Sequence, residues 1–176
     1  MGRILIPNAV QNGMTLLNVG GTTLSGASVS VSSIPTTYKH LYIVAKDITT
    51  STGSIDIILR FNSDTGTNYA YSAVRNNGGT VQARSSAAND GIYDLVLTPV
   101  SGTVKYQGQL EVFIPLYAET DTVAVHYQSY GHTGSNIASY SGSGMYDGTA
   151  AITTIALVAQ STYTFSGGKL YVYGVS

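Results

Sequence analysis

The chain has 176 residues, of which 43% are hydrophobic and only 10% are charged, with a net charge of −1, fourteen Tyr and no Cys. This balance gives no basic field for nucleic acid or anionic lipid, and the absence of Cys excludes disulfides and thiolate metal sites. Because the hydrophobic residues are evenly spread and favour strands, the composition predicts one folded β domain.

The N-terminal segment 1–14 is irregular in sequence and is predicted to be an arm that precedes a β domain at 15–176. Its apolar run of Ile4, Leu5 and Ile6 is too short for a signal peptide. No apolar run in the chain approaches the length of a membrane helix. We therefore expect a soluble chain whose partners include neither a membrane nor nucleic acid.

Alternation of apolar and polar residues with a period of two predicts about ten strands and no helix. The segment 131–148, rich in Gly, Ser, Asn and Tyr, is predicted to be either a long loop or a weakly patterned strand pair. The spacing predicts an all-β, single-domain antiparallel sandwich of jelly-roll or related Greek-key type. The predicted strands are 15–19, 22–31, 39–48, 55–62, 68–74, 80–84, 92–98, 104–116, 122–130, 152–159 and 168–175.

Two hairpins are predicted. In the first, a strand at 55–62 reverses at residues 62–68 and returns at 68–74. In the second, the sequence Asn-Asn-Gly-Gly at 76–79 favours a type I′ turn, which needs positive φ at both central positions. Residues 85–91 are predicted to form a loop. The inward positions of the strands give a predicted core of Leu41, Ile43, Ile57, Leu59, Phe61, Leu110, Val112, Ile114, Val123, Val125, Ile155, Leu157, Leu170 and Val172.

No pattern in the sequence indicates catalysis. The histidines His40, His126 and His132 have no metal-ligand spacing, the acidic residues are scattered, and no serine occupies a nucleophile elbow. We therefore expect no enzyme activity, no catalytic residue and no cofactor.

The segment Asn62-x-Asp64-x-Gly66-x-Asn68 is similar in spacing to a calcium loop. An EF-hand, however, needs acids where Gly66 and Ala73 stand, and one carboxylate is a poor match for a divalent charge. A turn held by hydrogen bonds from side chains to the backbone is the favoured interpretation, with calcium binding as its alternative.

Four tyrosines flank the Gly- and Ser-rich segment 131–148, in the composition that binding loops use. Their rings are suited either to stacking on a sugar or to packing in a subunit interface, and we favour the interface. The candidate interface residues are Tyr127, Tyr130, Tyr140 and Tyr146, together with Ile4, Leu5 and Ile6 of the arm.

One stretch carries a resemblance to a known group of proteins. It reads Ser-Ile-Pro-x-x-Tyr-Lys-His-Leu from Ser33, then a strand, then Leu-Arg-Phe-Asn-x-Asp-x-Gly-x-Asn-Tyr from Leu59. This arrangement resembles structural proteins of tailed-bacteriophage virions, which are small β-sandwich modules found as head decorations, head fibres and tail-fibre domains. The resemblance covers residues 33–75, with a weaker echo in Lys169 to Gly174.

The resemblance implies a non-enzymatic virion protein. The first expectation is a capsid decoration or cement protein, made in the host cytoplasm, that binds the major capsid protein on the outside of the head as a homotrimer. The alternative is a tail-fibre, head-fibre or baseplate domain that binds a host-surface glycan. A free carbohydrate-binding domain is a third possibility. Because the chain has no heptads and no repeats that would make a fibre shaft, the first expectation is favoured.

Overall fold

A computed structural model describes residues 13–53, 55–99, 107–132 and 136–176, and these residues form thirteen strands without a helix. No helix long and apolar enough to cross a membrane occurs in this part of the chain. The strands are β1 (Met14–Leu16), β2 (Thr22–Thr23), β3 (Ser28–Val31), β4 (His40–Thr50), β5 (Ile55–Phe61), β6 (Tyr69–Asn77), β7 (Thr80–Asn89), β8 (Leu97–Thr98), β9 (Gly108–Pro115), β10 (Val123–His132), β11 (Ile137–Tyr146), β12 (Ile155–Ala159) and β13 (Phe165–Val175).

Two antiparallel sheets make up the fold. The larger has nine strands in the order β1-β13-β4-β9-β10-β11-β6-β7, with β2 also paired to β13. The smaller has four, in the order β3-β12-β5-β8. The predicted β-sandwich is therefore confirmed. The structure has two strands more than the eleven predicted ranges, because the range 22–31 is divided into β2 and β3 and because β11 lies in the segment 131–148, for which a loop was the alternative.

The hydrophobic core lies between the two sheets. Along β9 and β10 the side chains alternate strictly between buried and solvent-facing, as a strand with one buried face requires. Every residue of the predicted core is at most 4% exposed, so that prediction is confirmed in full.

The predicted hairpin at 55–74 is wrong. β5 pairs with β12 and β8 in the smaller sheet, whereas β6 pairs with β11 and β7 in the larger one, so residues 62–68 cross between the sheets. Asn62 and Ser63 have positive φ, which turns the chain out of the plane of β5. The Tyr69 hydroxyl then accepts a hydrogen bond from the Phe61 amide at 2.9 Å and donates to the Phe61 carbonyl at 3.1 Å. A side chain thus takes the place of a strand partner.

The second predicted hairpin is confirmed. β6 and β7 are joined by Gly78 and Gly79, whose φ values are +58° and +91°. The loop predicted at 85–91 is wrong over most of its length, because β7 continues to Asn89. Ser and Ala have weak strand preference, and pairing along β6 holds them in the sheet nonetheless.

The Gly- and Ser-rich segment 131–148 forms mainly one long strand, β11, which pairs with β10 and β6, so it is neither the long loop nor a strand pair of its own. The alternation of apolar and polar residues is weak in this segment because glycines occupy two inward positions, where side chains from other strands and loops fill the space. A Cβ on Gly142 would lie 2.4 Å from the Tyr127 ring, and one on Gly144 would lie 2.7 Å from Ile92. The glycines therefore allow neighbouring side chains to pack directly on the backbone of β11.

Replacing Leu59 with Ala tests this core. Leu59 is fully buried, so the change is expected to lower the free energy of unfolding by about 2–5 kcal/mol. Val74→Ala is the matched control: Val74 is 51% exposed, and its truncation should change stability by less than about 0.5 kcal/mol. Urea unfolding followed by circular dichroism measures both. Equal effects of the two changes would contradict the assignment of faces.

Candidate functional site

The structure separates the four candidate interface tyrosines. Tyr127, Tyr140 and Tyr146 are buried within this chain, and only Tyr130 is solvent-facing, with 48% of its surface exposed. Of these four candidates, Tyr130 is therefore the one whose ring is substantially exposed in the folded chain. Alternation explains the result, because Tyr127 and Tyr130 are three residues apart on β10 and so face opposite sides. The arm candidates Ile4, Leu5 and Ile6 lie outside the described residues.

Tyr146 belongs to a buried aromatic trio with Tyr69 and Phe61. Tyr146 stacks on Tyr69 with ring centroids 4.8 Å apart, and Phe61 lies 5.2 Å from Tyr146. These three rings lie beside the crossover at 62–68, and the contact of Phe61 with Tyr69 joins the residues on either side of the crossover. Burial raises the pKa of Tyr69 and, to a smaller extent, that of Tyr146, so both hydroxyls stay protonated and act as hydrogen-bond donors. These rings are structural.

The crossover is held by its own polar side chains. The Asp64 carboxylate accepts hydrogen bonds from the Gly66 amide at 2.7 Å and from the Asn68 side chain at 2.8 Å, and these bonds lower the pKa of Asp64. The Asn62 side-chain oxygen accepts from the Thr153 amide at 2.8 Å. The predicted bonding from side chains to the backbone is confirmed, although the turn joins two sheets. The described residues contain no group of three or more His, Asp or Glu side chains placed to hold a metal.

Adding a chelator is expected to leave the melting temperature unchanged. The Asp64 oxygens are already occupied by hydrogen bonds, so the fold does not require an ion there. Differential scanning calorimetry with EDTA, and then with calcium in excess, makes the test. A bound ion stabilises a protein by RT ln(1 + [L]/Kd), so a fall of several degrees restored by calcium would show that the segment is a calcium site.

The most distinctive surface is the solvent-facing side of β13, β4, β9, β10, β11, β6 and β7, which we call the outer face. It carries most of the large hydrophobic side chains that are exposed in the described residues. Among the outward residues of β6, β9, β10 and β11, only Glu111 is an Asp, Glu, Lys or Arg. The exposed hydrophobic residues of the outer face are Val74, Val81, Phe113, Tyr130, Ile137 and Met145.

Strand register divides the outer face into two halves. One cross-strand row runs Tyr173, Tyr42, Phe113, His126 over β13, β4, β9 and β10. The rings of Tyr42 and Tyr173 lie 6.5 Å apart. The same row continues as three serines over the remaining strands, namely Ser143, Ser72 and Ser85. The outer face is thus aromatic on one half and covered by small side chains on the other.

Small residues on β11 create a trough along this face. The outward side chains of Ser139, Ser141 and Ser143 are flanked by longer ones on β10, with Ile137 and Met145 at the two ends. Two depressions open there, of about 470 Å³ and 340 Å³, and they share Glu111, Gln128 and Ser141 in their walls.

Tyr42 orients the one carboxylate of this trough. Its hydroxyl donates a hydrogen bond to Glu111 Oε2 at 2.7 Å. Partial burial of Tyr42, followed by this hydrogen bond, raises the pKa of the hydroxyl to about 12. The Glu111 carboxylate is therefore held against an aromatic ring, with its other oxygen available as an acceptor.

An ionic cluster lies on the opposite, inner side of the β6–β7 hairpin. Arg84 Nε donates to Asp94 Oδ1 at 3.1 Å, and Asp94 is only 2% exposed. Arg75 donates to the Tyr140 hydroxyl at 3.3 Å and lies 6.0 Å over that ring. Burial, followed by the charge of Asp94, raises the pKa of Asp56 to about 6. Sequence reasoning missed this cluster, although Arg75 and Arg84 alternate with the outward Val74 and Ala83.

Because Asp94 is enclosed and paired with Arg84, the cluster serves to anchor the hairpin. Asp56 and Asp94 differ in environment, as the acid and base of an enzyme do, but neither of them lines any of the four depressions of the described surface. The absence of enzyme activity stays a prediction.

Replacing Asp56 with Asn is expected to stabilise the protein above pH 6. The pKa of Asp56 is about 6 in the fold against an ordinary 3.8, so between these values the folded chain holds a proton that the unfolded chain has released. The free energy of unfolding of the native protein therefore falls by up to about 3 kcal/mol as the pH rises from about 4 to 6. The Asp56→Asn variant has no carboxyl group at this position, so its free energy of unfolding should not fall in this way.

Urea unfolding at about pH 4 and about pH 8 measures the effect. Glu119→Gln, at an exposed acid, is the control and should leave the pH profile unchanged. If Asp56→Asn is less stable than the native protein at pH 8, the ionised carboxylate contributes more to the cluster than its burial costs.

Comparisons with known proteins leave the family of this chain open. No protein-family model matches it, and no curated protein matches its sequence. Among solved structures, the galectin LEC-6 of Caenorhabditis elegans has a TM-score of 0.31 at 6% identity, covering 92% of this chain and 97% of that one. The transglycosylase Crh5 has a TM-score of 0.26 at 10% identity, covering 97% and 81%.

A viral structure is also among the similar ones. The Gx strain of infectious bursal disease virus has a TM-score of 0.14 at 20% identity, covering 93% of this chain and 36% of that one. All three TM-scores are below 0.5, so none of these similarities assigns a function.

Proposed function

We propose that this chain is a non-enzymatic structural protein of a tailed-phage virion, a decoration protein that attaches to the outside of the head and stabilises it. The observation that carries the proposal is the outer face, a broad sheet surface on which exposed hydrophobic side chains stand among neutral polar ones and on which Glu111 is the one Asp, Glu, Lys or Arg at the outward positions of β6, β9, β10 and β11. The resemblance of residues 33–75 to virion proteins is the reason for proposing a phage head as the particle to which the chain attaches. The major capsid protein is the proposed partner of the outer face.

The composition of the outer face fits contact with another protein. Protein interfaces are enriched in Tyr, Phe and Met and depleted of Lys, Glu and Asp at their centre, and Phe113, Tyr130 and Met145 follow that rule. The small serines of β11, which lie between larger side chains, also allow close approach of a second surface.

A glycan is the second candidate for the same face, as in a fibre or baseplate domain. The smaller depression places Phe113 and Tyr42 beside Glu111, Gln128 and Ser141. An aromatic ring flanked by side-chain acceptors and donors suits the apolar face and the hydroxyls of a neutral sugar. Its volume of about 340 Å³ lies within the range of small-ligand sites.

Introducing a charge on the outer face tests attachment. Tyr130→Asp and Met145→Asp are expected to reduce binding at least tenfold, because each buries an unpaired carboxylate in an apolar contact. Val19→Asp is the matched control: Val19 is 92% exposed in a turn outside the outer face, and its replacement should leave attachment unchanged. Co-sedimentation with purified particles that lack the protein measures binding.

Copy number separates the two candidates. A decoration protein is expected at hundreds of copies per particle, and a tail or baseplate domain at tens or fewer, as quantitative mass spectrometry of purified particles would show. A low copy number, with loss of glycan-array binding in Phe113→Ala and unchanged co-sedimentation in Tyr130→Asp, would overturn the decoration role and support glycan binding.

A further inference from the structure

The free edge of β7 differs from every other sheet edge in the described part of the chain. β7 ends the larger sheet, has ten residues, and eight of them are exposed. The other edges are formed by β1, β2, β3 and β8, which have between two and four residues each. Short edges are a common protection against unwanted strand pairing. The edge of β7 lacks that protection.

Hairpin geometry shows which backbone groups of β7 are unpaired. In a two-residue hairpin the pair that closes the turn is hydrogen-bonded, and hydrogen-bonded pairs then alternate with non-bonded ones. Asn77 and Thr80 close this turn, so residues 80, 82, 84 and 86 bond to β6. The amide and carbonyl groups of Val81, Ala83, Ser85 and Ala87 therefore point away from the sheet. No backbone hydrogen bond to another described segment uses them.

The side chains along this edge do not resist pairing. β7 contains no Pro and no Lys, the residues that usually block an edge. Its one charged residue, Arg84, is engaged by Asp94 on the inner side. The outward residues Val81, Ala83, Ser85 and Ala87 are small or apolar and neutral. Pairing ends only near Ala88, which has a positive φ and lies at a register shift.

We propose that β7 pairs with β7 of a second copy of this chain, antiparallel and about a two-fold axis. The backbone groups along this edge are complementary to those of an identical edge in that orientation, because each unpaired amide then faces an unpaired carbonyl. Arg84, the one charged residue of β7, is already paired with Asp94 of its own chain. The ionic cluster holds the hairpin in place from its inner side, so the strand is already ordered before it pairs.

The contact continues the larger sheet of one copy into that of the next, so two outer faces form one surface. The pairing is independent of what the outer face binds. It also gives even-numbered assemblies, whereas the homotrimer that the phage resemblance implies would need a different contact.

Ala83→Pro is the decisive variant. Proline removes an amide hydrogen that has no partner within the chain, and edge strands accept it at such positions, whereas a second strand can no longer pair there. Ala83→Ser keeps the amide and is the matched control. Sedimentation velocity over a concentration series is expected to show a dimer for the native protein and Ala83→Ser, and a monomer for Ala83→Pro. Far-ultraviolet circular dichroism checks that each variant is folded.

Hydrogen exchange gives an independent readout of the same contact. In the native dimer the amides of residues 81, 83, 85 and 87 should be protected from exchange, and dilution to the monomer should expose this alternate set alone. Should Ala83→Pro fail to fold, Ala83→Lys places a charge at the edge without removing an amide and serves the same test.

A native protein that stays monomeric at its highest soluble concentration would overturn the proposal, as would an Ala83→Pro variant that keeps the native mass. Tyr130→Asp should keep the dimer while losing attachment to particles. Failure of the β7 contact and failure of the decoration role are therefore distinguishable.

Discussion

The alternation of side chains along the strands of the larger sheet determines both what is buried and what is exposed. Leu110, Val112 and Ile114 of β9 face the core, and the residues between them form the outer face. A shift of one residue in any strand would bring serines and glutamine inside and leave aliphatic side chains in water. The core and the candidate binding surface are thus two sides of one pattern.

The crossover at 62–68 makes this pattern into a sandwich. It moves the chain from the smaller sheet to the larger one, and Asn62, Asp64 and Tyr69 satisfy the backbone groups that are left without strand partners. Burying those groups unpaired would cost about 1–3 kcal/mol each. Polar side chains therefore hold a junction in which apolar packing alone would leave hydrogen-bonding groups unsatisfied.

The core was predictable from the sequence because it depends on local alternation, which is visible within each strand. The sheet to which each strand belongs was not predictable, because β5 and β6 show the same alternation whether they pair with each other or with distant strands. The burial of three candidate tyrosines could not be predicted from the sequence for a related reason. Tyr140 sits in a strand whose inward glycines hide the alternation, and those glycines reflect packing against Tyr127 and Ile92 from distant parts of the chain.

We propose that a partner covers the outer face in the assembled particle, and the oxidation of Met145 reports on that contact. Met145 and Met14 are nearly equally exposed in the chain alone, at 53% and 51%, so Met14 calibrates the oxidant in the free protein. Oxidative footprinting of the free protein and of the particle-bound protein compares the rates at which sulfoxide forms. The account predicts strong protection of Met145 on the particle, and an unchanged rate of oxidation at Met145 would contradict it.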